Sequence, residues 1–216
     1  MKKIVIVDDH PIVREGFRKL IDSEEDFNVV GTAETAVEAV ELIKSEKPDL
    51  AMVDLSLKES SGIELIKDLQ VICPDVRVLV VSLHDEEIYA ERVLRAGAKG
   101  FIMKAEAVDD IITAVRKVAG GEIYLSSKMQ SRMLEIMTSG RNAANLNPID
   151  ILSDRELEVF QMIGNGVKTR IIAEQLKLSV KTIETYKSHL KIKLQLKDSV
   201  ELIQRAVEWQ MTQNLR

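Results

Sequence analysis

One cysteine, Cys73, is all that 216 residues carry. An internal disulfide is therefore excluded, and the chain suits a reducing cytoplasm. Beside Ile72, that cysteine reads as a small buried hydrophobe rather than a reactive thiol. No apolar run approaches the roughly 20 residues of a membrane-spanning helix, and no signal-peptide pattern opens the chain, so no membrane role is expected. A glycine-rich phosphate cradle of the nucleotide-binding kind is missing, internal repeats are missing too, and His10 and His84 lack metal-ligand spacing.

What remains is an ordinary globular composition, 45% hydrophobic and 30% charged, in a length that fits one large domain or two small ones. The net charge of −5 is unevenly spread. Residues 1–147 carry 19 basic and 26 acidic side chains, a net −7, whereas residues 148–216 carry 11 and 9, a net +2. Eight of the basic residues fall between Lys168 and Lys197, against only Glu174 and Glu184. A basic cluster in an acidic chain is an electrostatic footprint for polyanions.

The most informative stretch is Leu50–Val53, four apolar residues entered after Lys47-Pro48 and closed by Asp54. Pro48 forbids a continuing helix, so the run reads as a strand buried on both faces with Asp54 at its carboxyl end. Ile4–Val7 ends likewise in Asp8-Asp9, Val78–Val81 in Ser82, and Gly100–Met103 in Lys104; Val29–Gly31 reads as a further strand. Helical patterns lie between them. Pro11 opens one with Val13, Phe17, Leu20 and Ile21 on one face, and another buries Ala36, Val40 and Ile43. A third follows Gly62 and stops at Cys73-Pro74, a fourth carries Ile88, Tyr89 and Val93 and stops at Gly97, and a fifth runs from Ala107 to Ala119. Five such units predict an α/β domain, a doubly wound five-stranded parallel sheet of order 2-1-3-4-5, with ligands at the carboxyl ends of its strands. Three carboxylates gathered there imply either a raised pKa or a bound divalent cation, and oxygen donors alone suit magnesium.

An Asp pair, then Asp, Ser and Lys at successive strand ends resemble the response-regulator receiver domain, over residues 1–120. The whole chain resembles a NarL/FixJ-type two-component transcription regulator. This resemblance implies that Asp54 is the phospho-acceptor and that Asp8, Asp9, Asp54 and the main-chain carbonyl of Ser56 hold Mg2+. It implies that Lys104 pairs with the phosphoryl oxygens, that Ser82 gives them its hydroxyl, and that Phe101 turns as a switch aromatic. A sensor histidine kinase is the implied phosphodonor. Lys58 and Ala105 stand where receivers often have proline. Haloacid-dehalogenase-like phosphatases also form an aspartyl phosphate, but they use a second Asp two residues on as general acid. Here that residue is Ser56, so no enzyme is expected.

Residues 121–148 read as a helix from Ser126 to Met137 followed by a flexible linker, Thr138–Pro148, small, polar and without period. Residues 149–216 carry no strand pattern and predict a small all-α helix-turn-helix domain. Ser153-Asp154-Arg155-Glu156 is a capping box, Gly164-Asn165-Gly166 stops that helix, and Lys177-Leu178-Ser179 turns the chain into a basic helix from Val180 to Leu194. A final helix, capped by Asp198 and Glu201, runs through Trp209. The stretches Leu152–Val159 and Ser179–Leu190 resemble the LuxR-type DNA-binding signature, although Arg170 stands where a lysine is common and Ile171 where an acid is. Ile183, Tyr186 and Leu190 should face the core. The family's docking then implies base edges for Glu184, Thr185 and Ser188, and phosphates for Lys181, Lys187 and Lys191. The expectation is a cytoplasmic regulator, homodimeric when phosphorylated, on double-stranded promoter DNA, with RNA polymerase open as a further partner. The rival is a receiver that acts by protein docking, its DNA domain vestigial.

Overall fold

The computed structural model describes residues 1–57, 60–139 and 148–214, in two compact units, Met1–Thr138 and Ser139–Arg216. In the first, strands β1 (Lys2–Val7), β2 (Phe27–Ala33), β3 (Leu50–Val53), β4 (Arg77–Ser82) and β5 (Gly100–Met103) form one parallel sheet. Its order is β2-β1-β3-β4-β5, as the strand ends predicted. Helices α1 (Pro11–Asp22), α2 (Ala36–Glu46), α3 (Gly62–Ile72), α4 (Glu86–Ala96) and α5 (Val108–Gly120) alternate with the strands.

The central strands are apolar throughout because helices cover both faces of a parallel sheet. Ile4, Ile6, Leu50, Met52, Leu79 and Val81 pack with Ile111, Ile112, Val115 and Val118 of α5 in one core. Register then sets the functional rim. Val7 pairs with Val53, and Val53 with Val80, while the Asp54 amide donates to the Val7 carbonyl at 2.8 Å. Asp8 and Asp54 therefore leave the sheet side by side. The outer strands β4 and β5 run on to Ser82 and Met103, which pair with each other, so Lys104 stands beyond them and reaches back.

Several details differ from the expectation. Strand β2 spans seven residues rather than three, because pairing with β1 carries the polar Asn28 and Thr32 into the ladder. A short hairpin, Ser56–Leu57 against Ser60–Ser61, follows Asp54; Lys58 lies outside the described residues. Cys73 is half-buried at the C-cap of α3 rather than buried, because Ile72 beside it faces solvent. After α5, Tyr124 bridges to Gly100 and lines the outer edge of β5. Helix α6 (Ser127–Ser139) follows. It takes in Thr138, which the linker was expected to hold, and residues 140–147 of that linker lie outside the described residues.

From residue 148 the described part of the second unit holds a 3-10 turn, Pro148–Ile151, then α7 (Asp154–Gly164), α8 (Thr169–Gln175), α9 (Val180–Lys193) and α10 (Ser199–Asn214). Leu157, Phe160, Ile163, Ile172, Ile183, Leu190, Leu202 and Ala206 are among its buried side chains. The capping box of α7 forms in full, and Asp198 caps α10 by accepting from the Val200 and Glu201 amides at 2.8 and 2.9 Å. Gly164 lets α7 lie against α10, since a Cβ there would meet the Ala206 carbonyl at 2.6 Å. Among the described residues no helix is long and apolar enough to cross a membrane.

Candidate functional site

The rim at the carboxyl end of the sheet holds a buried charge cluster. The Lys104 ammonium lies 2.5 Å from Asp8 Oδ2 and 2.8 Å from Asp54 Oδ2, and all three side chains are almost wholly buried. Burial alone would lower the Lys104 pKa, but hydrogen bonds and charge from Asp54 and Asp8 outweigh it and hold the ammonium above its ordinary value. One lysine thus serves two carboxylates and leaves negative charge to spare. Asp9 stands beside them, its Oδ1 2.6 Å from His10 Nδ1 yet outside good hydrogen-bond geometry. Asp9 Oδ1 and Asp54 Oδ1 are buried polar atoms without a hydrogen-bond donor, an arrangement that is costly unless something cationic meets them.

The donors fit a hard divalent cation. Ligand atoms of Asp8, Asp9, His10 and Asp54 all lie within 4.8 Å of one another, and carboxylate oxygens dominate, as magnesium prefers. Neighbouring groups fix the carboxylates. The Asp8 Oδ1 accepts from the His10 amide at 2.8 Å, and Arg14 donates to the Asp8 carbonyl at 2.6 Å while pairing with Glu34.

Around Asp54 the backbone is tightly held. Gly62 donates its amide to the Leu55 carbonyl at 2.9 Å, and a Cβ at Gly62 would come within 2.2 Å of the Asp54 carbonyl. This glycine was read only as the start of a helix, and its contact with Asp54 was not legible because it joins residues brought together by the hairpin. Ser82 is fully buried, and its hydroxyl oxygen accepts from the His84 amide at 3.3 Å. The His84 ring packs 4.7 Å from Tyr89 and lies 3.0 Å from the Ser56 hydroxyl. Burial, partly opposed by Asp54, lowers its pKa below the ordinary histidine value. The side chain of Phe101 is wholly buried. The Ser56 carbonyl, expected as a metal ligand, belongs to a residue whose side chain faces solvent and meets His84.

In the second unit α8 and α9 form the helix-turn-helix, with Lys177 at φ 53° in the turn. Ile183 and Leu190 face the core as expected, while Tyr186 is half-exposed. Lys181, Glu184, Thr185 and Ser188 are exposed along one side of α9, and Lys191 is half-buried. Thr185 and Ser188 donate their hydroxyls back to the Lys181 and Glu184 carbonyls, and can be withdrawn to meet a ligand. Lys187, expected on a phosphate, is ion-paired within the unit. Its side chain is only 17% exposed, and its ammonium donates to Glu184 at 2.9 Å and to Thr169 of α8 at 3.2 Å. Behind the motif, Glu156 is buried and accepts from Lys193 at 2.5 Å and from the Ser153 amide at 2.7 Å.

Comparison with known proteins bears on both units. Residues 4–116 match the family described as the response regulator receiver domain, and residues 150–206 match the bacterial regulatory proteins of the luxR family. The oxygen regulatory protein NreC of Staphylococcus carnosus is 39% identical over 210 residues, 95% of this chain and 97% of its own. RcsB from Salmonella enterica serovar Typhimurium, solved bound to promoter P1flhDC with the phosphomimetic BeF3−, is 28% identical with a TM-score of 0.69. That match covers 95% of this chain and 98% of RcsB. A structure of two RcsB dimers bound to two parallel DNAs is 28% identical with a TM-score of 0.57, covering 94% and 96%.

Proposed function

The chain belongs to the response regulators that join a receiver domain to a LuxR-type DNA-binding domain, and from that premise we propose that phosphorylation of Asp54 controls its dimerisation and its binding to promoter DNA. It is a DNA-binding transcription regulator, not an enzyme. The observation that carries the proposal is the Asp54 carboxylate itself, with Oδ2 held by Lys104 and Oδ1 buried without a donor. Oδ1 is the nucleophile: it forms a bond to phosphorus as the donor's own bond to phosphorus breaks, the donor being the phosphohistidine of a sensor kinase or acetyl phosphate.

Asp8, Asp9, Asp54 and the Ser56 carbonyl would hold Mg2+, which neutralises phosphoryl charge when bound. Lys104 exchanges a carboxylate oxygen for a phosphoryl oxygen, a short swing for a flexible ammonium. Ser82 turns its hydroxyl toward the same group, and Phe101 answers in the space behind it. Residues 1–120 act as the receiver, 121–148 as the connecting helix and linker, and 149–216 as the DNA-binding part. There Glu184, Thr185 and Ser188 face base edges, and Lys181 and Lys191 face phosphates. Lys187 serves the phosphate backbone only after leaving Glu184. The promoter-bound and dimeric forms of RcsB support the same course of events here. The setting is the cytoplasm, and RNA polymerase is a further candidate partner.

Incubation with labelled acetyl phosphate and Mg2+ tests the reading. Wild type should take up label, and Asp54→Asn or chelation of the metal should abolish it. Labelling that persists in Asp54→Asn would refute Asp54 as the acceptor.

A further inference from the structure

Helix α6 is fastened to the first turn of α4 by three polar contacts that the phosphorylation chemistry does not use. The Ser126 amide, at the entry to α6, donates to Glu86 Oε1 at 2.8 Å. Glu87 pairs with Lys128 and, at 3.6 Å, with Arg132, one helical turn further along α6. Leu125 and Met129, at the entry to α6 and in its first turn, are buried. Ser126 also caps α6, its hydroxyl accepting from the Met129 amide at 3.2 Å.

The anchor on α4 follows the strand end that carries Ser82 after three intervening residues. Asp85, the N-cap, accepts from the Glu87 amide at 2.8 Å. The residue before it, His84, donates its amide to Ser82 Oγ, and its ring Nε2 lies 3.0 Å from the Ser56 hydroxyl. A Ser82 whose oxygen swings about χ1 toward Asp54 draws that oxygen off the His84 amide, which it holds at 3.3 Å. A Ser82 that turns therefore releases His84, and with it the turn bearing Glu86 and Glu87.

We propose that Glu86 and Glu87 form an ionic latch that holds α6 on α4 while Asp54 is unmodified, and that turning of Ser82 toward a modified Asp54 loosens it. This rests on the acceptor role given to Asp54 above. Lys128 is 81% exposed and Arg132 35% exposed. Each pair is therefore weak, and the latch sits near balance, as a switch element must. Loosening frees the segment that leads to the second unit without unfolding the first.

Amide hydrogen exchange of the full chain, with and without beryllofluoride and Mg2+, reads the latch directly. In wild type, beryllofluoride should protect amides beside Asp54 and raise exchange in residues 126–139 by about threefold. Glu87→Lys should show the raised exchange without beryllofluoride, with the amides of β1 and β3 unchanged. Adding Lys128→Glu and Arg132→Glu to Glu87→Lys should restore the slow exchange. Unchanged α6 exchange in Glu87→Lys would overturn the latch. Protection beside Asp54 with an unresponsive α6 in wild type would overturn it as well. No protection beside Asp54 would refute the acceptor reading instead, and the coupling with it.

Discussion

At the scale of single residues, Lys104 has the most unequal task, one buried ammonium against the carboxylates of Asp8 and Asp54. Removing one member of a buried charge cluster strands the others. Lys104→Met should therefore lower stability by about 3 kcal/mol in chelator, with part of the loss restored by millimolar Mg2+; thermal melts with and without the metal measure both. Glu156 makes the same argument in the second unit. Burial would raise its pKa, but Lys193 and the Ser153 amide and hydroxyl outweigh that and hold it below the ordinary 4.5. A carboxylate depressed in the folded state stabilises above its unfolded pKa, and that contribution is lost as pH falls through the folded one. The melting temperature of the second unit should thus drop as pH falls below 4.5. Glu156→Gln should be roughly 2 kcal/mol less stable near neutrality, with a flatter acid limb. Lys187 makes a third case. Pinned between Thr169 and Glu184, it should affect melting more than the salt dependence of DNA binding. Lys181→Ala and Lys191→Ala should each reduce the salt slope by about one ion and weaken all DNA sequences alike. A Lys187 variant that changed the slope while leaving the melt intact would return it to the phosphate contacts.

At the scale of elements, the sheet was legible wherever a short apolar run ended in a chemically marked residue. Leu50–Val53 before Asp54 and Gly100–Met103 before Lys104 carry both their burial and their purpose in the sequence. Strand β2 was only half legible, since Asn28 and Thr32 join through pairing with β1 rather than through any period of their own. The Ser56–Ser61 hairpin left no trace, because two-residue strands are too short to show alternation. Gly62 was visible as a residue but not as a contact. It sets how closely α3 can approach Asp54, and a methyl group there must push backbone against backbone. Gly62→Ala should cost about 1–3 kcal/mol and slow phosphorylation by acetyl phosphate more than it weakens Mg2+ binding. A variant that melts lower yet labels at the wild-type rate would make Gly62 merely structural. In the second unit the caps were legible because capping is local: Ser153 with Glu156 closes within four residues, whereas the pinning of Lys187 by Thr169 crosses from one helix to the next.

For the whole molecule, the uneven charge divides the labour: −7 on residues 1–147 and +2 on residues 148–216. A single helix-turn-helix buries too little surface for tight specific binding, so two copies are expected on a pseudo-palindromic site. On the proposed function, phosphorylation acts on DNA affinity through dimerisation, release of the second unit, or both. The most direct test is a titration of wild type and Asp54→Asn at fixed salt against one DNA site, selected from random sequence by the beryllofluoride-loaded protein. Each protein is titrated with and without beryllofluoride and Mg2+. Wild type should tighten by about tenfold or more on addition, a coupling of at least 1.4 kcal/mol, while Asp54→Asn stays at the unmodified affinity. Equal affinities for wild type in the two conditions, or an Asp54→Asn protein that tightens as wild type does, would contradict control of DNA binding through Asp54.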